Sequence, residues 1–436
     1  MVAGVFTPYT LLERGLVLPV MAPEFSQTRL KLLYLGFAFP PGVQTLYPGF
    51  NPAGHALETR MIGELRAYFD IRSSGLLPFC PPSVPHAAPD SGIDHELLLL
   101  DRPPELFHRM RSLARLKAQY RAWCASGWKP DLVLVYNLSP IYNQFLLWLA
   151  RQARHPKLLL LLLDSAQLGR PIPNLKRLRH CLKPMTTPDA AMLSHFDGCI
   201  GLSQSVEKYF RALKTPFLWM PGGCTASRAL TEREFPTAVE PSIPIRFGYC
   251  GAFGAHAGVK LLIETFLAAD IPGTLEICGY GKSGPEFASL ARQEPRLKFR
   301  GLLSPQESLR FSRMCDVLVN PRPATHGNEN NFASKLFDYA LSGRAILTSR
   351  LSGVEEVLGP QAYYFDPADF SGDLRRSLLA LAGTPRAELN RHGTAVQYRM
   401  LTEFGWPKQA AGIAQFLFEV WSRQAVAAEQ LQALAA

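Results

Sequence analysis

Residues 320–349 read NPRPATHGNENNFASKLFDYALSGRAILTS, and the fold is predicted from this stretch outward. A short apolar strand ends at Asn320, and a polar loop containing glycine follows it. A helix then covers about 333–343, before another strand begins. Leu336 and Ala340 share one face of that helix, because residues four apart lie on the same side, and this face is predicted to be buried. Strand, helix and strand together indicate a βαβ unit of a parallel sheet.

Strands of the same kind occur throughout the second half of the chain, with helical segments between most of them. They are IRFGYCG (245–251), LEICGYG (275–281), LKFRG (297–301), VLVN (317–320) and AILT (345–348). Short apolar runs that end in glycine are typical of buried parallel strands. The second half is therefore predicted to be a doubly wound α/β domain, with ligands at the carboxyl ends of its strands.

The first half shows the same alternation. Its predicted strands are KLLYLG (31–36), DLVLVY (131–136), KLLLLLL (157–163), DGCIGL (197–202) and FLWMPGG (217–223). One helix is predicted from apolar residues at spacing four over 57–69, and another over 145–153. Residues 76–105 are rich in proline and are predicted to be an excursion rather than part of the core.

These patterns predict two Rossmann-like α/β domains that face an interdomain cleft. Near the end, Pro407 precedes apolar residues at helical spacing from Ile413 to Trp421, and this helix is predicted to pack back on the N-terminal domain. The predicted boundaries are a variable extension (1–28), an N-terminal acceptor domain (29–225), a linker (226–243), a C-terminal donor domain (244–395) and a C-terminal helical segment (396–436).

Composition excludes several classes of protein. Of the 436 residues, 47% are hydrophobic and 19% are charged, which is too apolar for a disordered chain. No apolar run is long enough to span a bilayer, and Glu13 and Arg14 stand where a signal peptide would be apolar, so a cytoplasmic protein is expected. The eight cysteines are spread singly without a CxxC pair, which gives no support for a zinc or redox motif.

The net charge of +10 suits an anionic partner. The basic residues form no long run, which argues against a nucleic-acid tail. A basic segment, LKRLRHCLK (175–183), is compatible with an anionic membrane surface, although a solvated face is the favoured explanation.

The start of the predicted helix at 333–343 combines groups that bind anions. A helix N-terminus offers unpaired N–H groups and partial positive charge. Ser334 adds a hydrogen-bond donor and Lys335 a full charge, while Asp338, one turn further, can accept hydrogen bonds from a vicinal diol such as ribose. The alternative is an ordinary amphipathic helix with a Lys–Asp surface pair. If the first interpretation holds, the turn from Phe332 to Lys335 receives a pyrophosphate.

Two glycine loops follow strands at the same predicted edge. They contain Gly251 and Gly254 in one case and Gly279 and Gly281 in the other. Glycine allows the backbone to approach a diphosphate closely. Neither loop has the spacing of a dinucleotide-binding fingerprint or a P-loop, and turns alone would also explain such glycines.

The second half resembles the nucleotide-sugar domain of family 4 glycosyltransferases, which have the two-domain GT-B fold. Five segments match in order: YCGAFG…GVKLLIETF (249–266), LEICGYG (275–281), KFRGLLSPQESLRFSRMCDVLVNP (298–321), SKLFDYALSGRAIL (334–347) and SGVEEVL (352–358). The first half is similar in organisation, and the resemblance extends over residues 30–425.

The resemblance implies retaining transfer of a sugar from a nucleotide diphosphate to a glycan or lipid-linked acceptor, as in polysaccharide biosynthesis. It implies that Asp338 holds the ribose, that Ser334 and Lys335 meet the phosphates, and that 300–304, with Leu303, borders the base. It also implies that no metal or other cofactor is needed. Basic groups would neutralise the leaving diphosphate instead.

Two departures from the family pattern concern charge. An acidic residue is usual eight positions before Asp338, where this chain has Asn330 beside Glu329. Both are therefore candidate catalytic residues together with Asp338. Ala252 and about Ala257 stand where the family has arginine and lysine. The expected substitutes are Arg322 and Lys335, with Lys260 as a weaker candidate.

In the first domain, Gly54 and His55 at a helix start, and Asn137 and Asp164 at strand ends, are the acceptor-binding candidates. Helix capping explains such residues as well as binding does. His256 and His326 are predicted to be loop histidines. Two other functions stay open: a catalytically weak nucleotide-sugar-binding partner subunit, and a nucleotide-sugar epimerase on the same fold.

Overall fold

A computed structural model describes residues 29–37, 52–77, 97–100, 106–163, 190–225 and 244–435. These residues belong to two compact units. The first unit comprises the described part of 27–222, together with 326–332 and 412–435. The second comprises the described part of 223–325 and residues 333–411.

The first unit is built on a seven-stranded sheet in which every strand pair is parallel. In chain order its strands are β1 (Lys31–Gly36), β2 (Asp70–Leu77), β3 (Leu97–Leu100), β4 (Leu132–Tyr136), β5 (Lys157–Leu162), β6 (Gly198–Gly201) and β7 (Phe217–Trp219). Their spatial order is β3-β2-β1-β4-β5-β6-β7. The helices between them are α1 (Pro52–Leu65), α2 (Leu106–Ala125), α3 (Pro140–Ala150), α4 (Ala190–Leu193) and α5 (Glu207–Ala212).

Two strands of this sheet were not predicted. The expectation that residues 76–105 lie outside the core is wrong for β3, which pairs in register with β2 and buries Leu99 completely. In β2 the run DIRSSGLL has few apolar residues, yet Ser73 and Ser74 are buried. Their strand is recognisable only from its pairing with β1, because polar residues weaken the apolar signal on which strand prediction depends.

The second unit contains a six-stranded sheet, and all of its strand pairs are also parallel. Its strands are β8 (Ile245–Ala252), β9 (Gly273–Tyr280), β10 (Leu297–Phe299), β11 (Val317–Asn320), β12 (Ala345–Ser349) and β13 (Tyr363–Phe365), in the order β10-β9-β8-β11-β12-β13. This is the doubly wound Rossmann arrangement. The predicted strands are confirmed, with boundaries shifted by a few residues.

The remaining helices follow in chain order. They are α6 (Val259–Ala268), α7 (Gly284–Gln293), α8 (Pro305–Met314), α9 (His326–Glu329), α10 (Lys335–Leu341), α11 (Val354–Leu358), α12 (Phe370–Ala382), α13 (Arg386–Glu403) and α14 (Trp406–Ala435). The predicted buried face of α10 is confirmed, since Leu336 and Ala340 have no exposed surface.

Helix α14 belongs to both units, with the change at Gly412. In the first unit, Phe418 stacks on Phe69 with ring centroids 5.0 Å apart, and Phe416 and Val420 lie against Gly198 of β6. Within the described ranges, no helix combines the length and the apolar character that crossing a membrane would need.

Candidate functional site

In the second sheet the strand order reverses between β8 and β11, and parallel sheets bind ligands beyond the carboxyl ends of strands at such a point. Gly251 is the last residue but one of β8 there, and its φ of 148° is unfavourable for any other residue. Gly279, the last residue but one of β9, pairs with it and has a φ of 141°, and a Cβ on Gly279 would overlap the carbonyl oxygen of Gly251. The two glycine loops predicted at the ligand edge are therefore next to each other.

β8 continues past its partner β11 on one side, and a side chain from α10 takes the place of the missing strand. The Tyr339 hydroxyl accepts a hydrogen bond from the backbone N–H of Cys250 (2.8 Å) and donates one to its carbonyl oxygen (3.2 Å). Buried backbone groups need such partners. Tyr339 thereby joins α10 to the end of β8.

Lys335, at the start of α10, lies against the same strand end. Its Nζ donates a hydrogen bond to the Tyr249 hydroxyl at 2.6 Å and stands 4.0 Å from the centre of the Tyr249 ring. A Cβ on Gly251 would be 2.9 Å from this Nζ. The ammonium of Lys335 is therefore at the ligand edge of the sheet, in contact with Tyr249 rather than with an acidic side chain.

A second cation shares this site. Arg322, two residues after β11, is only 8% exposed, and burial lowers its pKa to about 10. Burial, followed by the charge of Arg322, lowers the pKa of Lys335 to about 7. Lys335 is half-buried and Arg322 is buried. Two such cations that destabilise each other form an electrostatic setting in which an anion binds strongly, because the anion offsets both their loss of hydration and their repulsion.

Two neighbours of this site were not predicted as site residues. Tyr249 carries the hydroxyl and ring that contact Lys335. His256 lies close enough that the charges of Arg322 and Lys335 add to burial in lowering its pKa. Its ring covers Gly254, where any Cβ would be 2.7 Å from Nδ1. The sequence signal that could have identified His256 is its place two residues after Gly254 in the loop that leaves β8.

Asp338 is half-buried on α10, in the same unit as Lys335. Its charge acts on the thiols of Cys250 and Cys224. Ser334, just before α10, is exposed, and its side chain makes no capping hydrogen bond. The helix itself has only seven residues, so the cationic side chains carry more of the positive charge than its dipole does.

Cys250 and Cys278 are direct neighbours across β8 and β9. A hydrogen bond with Cys278, aided by one with Ser308 and by the charge of Lys335, lowers the pKa of Cys250 to about 7. The same hydrogen bond and burial raise the pKa of Cys278. Cys250 is half-buried, so the reactivity of its thiol should change when a ligand covers this end of β8.

The segment expected to border the base follows β10. Gly301 has a φ of 68° and its carbonyl oxygen accepts a hydrogen bond from the N–H of Gly279 at 2.8 Å. Arg300 pairs with Glu276 at 2.8 Å, and Leu303 is half-buried. The segment is therefore attached to the glycine loop after β9. Lys260, by contrast, is 60% exposed and forms an ion pair with Glu286 of α7.

In the first unit, the candidates Gly54 and His55 lie on α1, and burial lowers the pKa of His55. One turn further on α1, Glu58 is 1% exposed and accepts hydrogen bonds from the Tyr34 hydroxyl and from the N–H of Phe37, both at 3.0 Å. Glu58 was not singled out from the sequence. It is a buried carboxylate at the carboxyl end of β1, next to the point where the first sheet reverses its strand order.

Asn137 follows β4 with a φ of 52°, and its Oδ1 accepts a hydrogen bond from the N–H of Leu163 at 2.8 Å. This side chain therefore connects the ends of β4 and β5. Asp164 lies outside the described residues, as do 175–183.

Glu329 and Asn330 belong to the first unit, where two serines hold their backbone. Ser203 donates a hydrogen bond to the carbonyl oxygen of Glu329 at 3.0 Å, and the Ser205 hydroxyl shares its single proton between that oxygen, at 2.8 Å, and the side chain of Asn330. Ser205 is also 2.8 Å from the Oδ1 of Asn330, whose Nδ2 is 3.1 Å from His326. Both polar atoms of the Asn330 side chain are thus engaged, and the residue is 2% exposed. Phe332, in the same segment, is 4% exposed.

No protein-family model matches the sequence, and the curated proteins give no match. Solved structures do match. Sucrose-phosphate synthase from Thermosynechococcus elongatus is 16% identical with a TM-score of 0.65, over 91% of this chain and 100% of that one. The UDP-forming α,α-trehalose-phosphate synthase from Burkholderia vietnamiensis is 12% identical with a TM-score of 0.62, over 92% and 99%.

A third solved structure is Anabaena HepE in complex with UDP and glucose, which is 14% identical with a TM-score of 0.58, over 90% of this chain and 100% of that one. These similarities extend through both sheets. Together with the two parallel, doubly wound strand orders, they show that the protein has the GT-B fold, with two Rossmann-like domains. The assignment to family 4 stays a prediction.

Proposed function

We propose that the protein is a retaining glycosyltransferase of the family 4 type, which moves a hexose from a nucleotide-diphosphate sugar to a glycan or lipid-linked acceptor. The observation that carries the proposal is the pair of neighbouring cations at the glycine-lined end of β8, the half-buried Lys335 and the buried Arg322. The proposal is also supported by the solved structures of similar fold, one of which is a complex with UDP and another a UDP-forming synthase.

Glycosyl transfer leaves a diphosphate on which negative charge develops, and positive groups already in place stabilise that charge best where water is excluded. Lys335 and Arg322 supply such groups. The glycines at 251, 254, 279 and 281 allow the backbone to approach the diphosphate. We therefore propose that no metal or other cofactor is required. No cluster of metal-binding side chains occurs among the described residues.

The other donor contacts follow the family pattern. Asp338 binds the ribose, Ser334 adds a donor near the phosphates, Phe332 borders the same turn, and Leu303 borders the base. For Asp338 this role is compatible with its half-buried position on the helix that also carries Lys335.

Of the two candidates before that helix, Glu329 is the better group to stabilise positive charge at the reacting sugar. The amide of Asn330 is already bonded through both of its polar atoms. The Glu329 carboxylate makes no hydrogen bond or ion pair within the described part of the chain, whereas its backbone is held by Ser203 and Ser205. A held backbone with an available carboxylate is the arrangement that catalysis requires. We expect Glu329→Gln to lower kcat by at least tenfold at unchanged donor affinity.

We propose that the acceptor binds to the first domain, near the ends of β1 and β4, where Gly54, His55 and Asn137 lie and where Asp164 follows β5 in sequence. A lipid-linked acceptor would place the protein at the cytoplasmic face of a membrane. The net charge of +10 supports attraction to an anionic surface.

The test begins with a thermal-shift screen of UDP, GDP, ADP and their hexose conjugates. The nucleotide that stabilises the wild-type protein is then titrated calorimetrically against Lys335→Ala and the matched control Lys260→Ala. We expect the first variant to lose affinity and the control to keep it. Hydrolysis or transfer of the matching donor is followed by NMR, in which the product should keep the anomeric configuration of the donor. Equal nucleotide affinity in all three proteins would refute the site.

A second function is favoured by one observation. The engaged amide of Asn330 stands where the family has a carboxylate, so a binding-only partner subunit is the alternative. The protein would be a binding-only subunit if it bound a nucleotide tightly but released sugar from no donor in the screen. This result should be the same in EDTA and in Mg²⁺.

A further inference from the structure

Helix α2 of the first domain combines exposed apolar side chains with positive charge. Its sequence, LFHRMRSLARLKAQYRAWCA, contains no acidic residue. Phe107 and Met110 are 71% and 62% exposed, the two largest exposures of apolar side chains on this domain's described surface. Large exposed apolar side chains are costly in water unless another surface covers them.

The inner side of α2 is fully used by the core. Leu116, Tyr120 and Trp123 are buried in the same cluster as β1 and β4. At about 100° per residue, these positions lie opposite Phe107 on the helix. The outward side is therefore not a core face left uncovered by poor packing, but a second and distinct surface of the helix.

Both apolar and basic side chains lie on that outward side of α2. Phe107, Met110 and Ala114 fall within an arc of about 60°. Arg111 and Arg115 lie about 40° and 80° from Phe107 on the side away from Met110, and Lys117 lies beyond Met110 on the other side. Arg121 projects within the apolar arc, about three turns further along the helix than Met110. Lys117 and Arg121 stand 5.3 and 5.4 Å from the ring of Trp148 on α3, so these two cations also contact the neighbouring helix.

We infer that this face of α2, defined by Phe107, Met110, Arg111, Arg115 and Arg121, docks on a lipid bilayer that contains anionic headgroups. Helices with a central apolar stripe and flanking arginines lie in the interface of a membrane, with the apolar side chains among the upper acyl chains and the cations at the phosphates. A nucleic acid would use the cations but would leave Phe107 and Met110 in water, so a bilayer fits the whole set.

This inference specifies the surface for the membrane location in the proposed function, but it does not depend on donor chemistry. The test is co-sedimentation of the full-length protein with vesicles of phosphatidylglycerol and phosphatidylcholine, compared with phosphatidylcholine alone. We expect binding to the anionic vesicles only, and a strong loss in 500 mM salt. Equal binding to both kinds of vesicle, or binding to neither, would overturn the proposal.

Two variants separate charge from apolar insertion. Arg111→Gln/Arg115→Gln should weaken binding about 25-fold, since each cation near an anionic surface contributes about fivefold. Phe107→Ser/Met110→Gln should weaken it at least tenfold, and the loss should persist at low salt. The matched controls, Arg375→Gln and Met314→Gln, change exposed residues of the second domain and should bind as the wild type does.

A short DNA duplex serves as the competing polyanion. If it binds as tightly as the anionic vesicles and Phe107→Ser/Met110→Gln leaves both affinities unchanged, the face is a general polyanion surface and the inference is wrong. Nucleotide affinity is measured on the same variants. If α2 binds vesicles but the protein binds no nucleotide, the proposed function is contradicted and the proposed membrane docking is still supported.

Discussion

Replacing Lys335 by methionine should stabilise the protein without its ligand and weaken nucleotide binding at the same time. Methionine has nearly the same length as the lysine stem, so packing beside Tyr249 is retained. The pKa of Lys335 falls from 10.5 to about 7, mainly because its ammonium is buried. Since one pKa unit corresponds to about 1.4 kcal/mol, keeping this charge in place costs roughly 5 kcal/mol at acidic pH.

The substitution also removes two favourable interactions. The hydrogen bond to the Tyr249 hydroxyl contributes about 1 kcal/mol, and the cation above the ring contributes about 1–2 kcal/mol. The net gain in the free energy of unfolding is therefore about 2 kcal/mol. For a domain of this size we expect the melting temperature to rise by roughly 4–8 °C.

Nucleotide binding should respond in the opposite direction. A hydrogen bond between charged groups contributes about 1.5–3 kcal/mol, so affinity for the nucleoside diphosphate should fall about 10- to 100-fold. Differential scanning calorimetry and isothermal titration calorimetry, applied to wild type and Lys335→Met, measure the two effects. Lys260→Met is the control, because Lys260 is 60% exposed and its loss should change neither quantity appreciably.

The pH dependence supplies an internal check. Between pH 7 and 10.5 the unfolded chain binds more protons at Lys335 than the folded protein does. The free energy of unfolding of the wild type should therefore rise with pH across this window relative to Lys335→Met. Nucleotide affinity of the wild type should fall above about pH 7, as the ammonium loses its proton. A methionine variant that melts earlier and binds nucleotide as before would refute this role for Lys335.

Three further predictions concern the same end of the second sheet. Asp338→Ala should lower affinity for the nucleoside diphosphate about tenfold but leave affinity for inorganic pyrophosphate unchanged, because the carboxylate binds ribose. Calorimetric titration with both ligands measures the two affinities, and an equal loss for both would contradict the prediction. Gly251→Ala should cost about 1–3 kcal/mol in the free energy of unfolding, since its φ is 148°, and should displace Lys335 enough to reduce nucleotide affinity at least tenfold. Cys250, with a pKa of about 7, should react with iodoacetamide at a rate that is half-maximal near pH 7. Bound nucleotide should slow this reaction at least fivefold, as measured by mass spectrometry of the labelled peptide. A reaction rate that nucleotide leaves unchanged would place the ligand elsewhere.

The sequence by itself determined the positions of most strands, because a buried parallel strand is a continuous apolar run and half of the predicted runs end in glycine. It also identified Gly251, Gly279 and the short helix with Lys335 and Asp338, since each of these is a local feature: a glycine that follows an apolar strand, or polar groups three residues apart on one helix. It failed at β2, where the serines of DIRSSGLL hide a buried strand, and at β3, which lies beyond a proline-rich stretch.

Only the tertiary structure decided which groups meet. Lys335 reaches Tyr249 across 86 residues, and Ser205 reaches Asn330 across 125. Local periodicity indicates which face of a helix is buried but not which partner covers it, and a pKa depends on burial and on charges brought close by the fold. For this reason the sequence could name Lys335 and Arg322 as phosphate-binding candidates, whereas their proximity at the end of β8, with His256 close by, became known only from the structure.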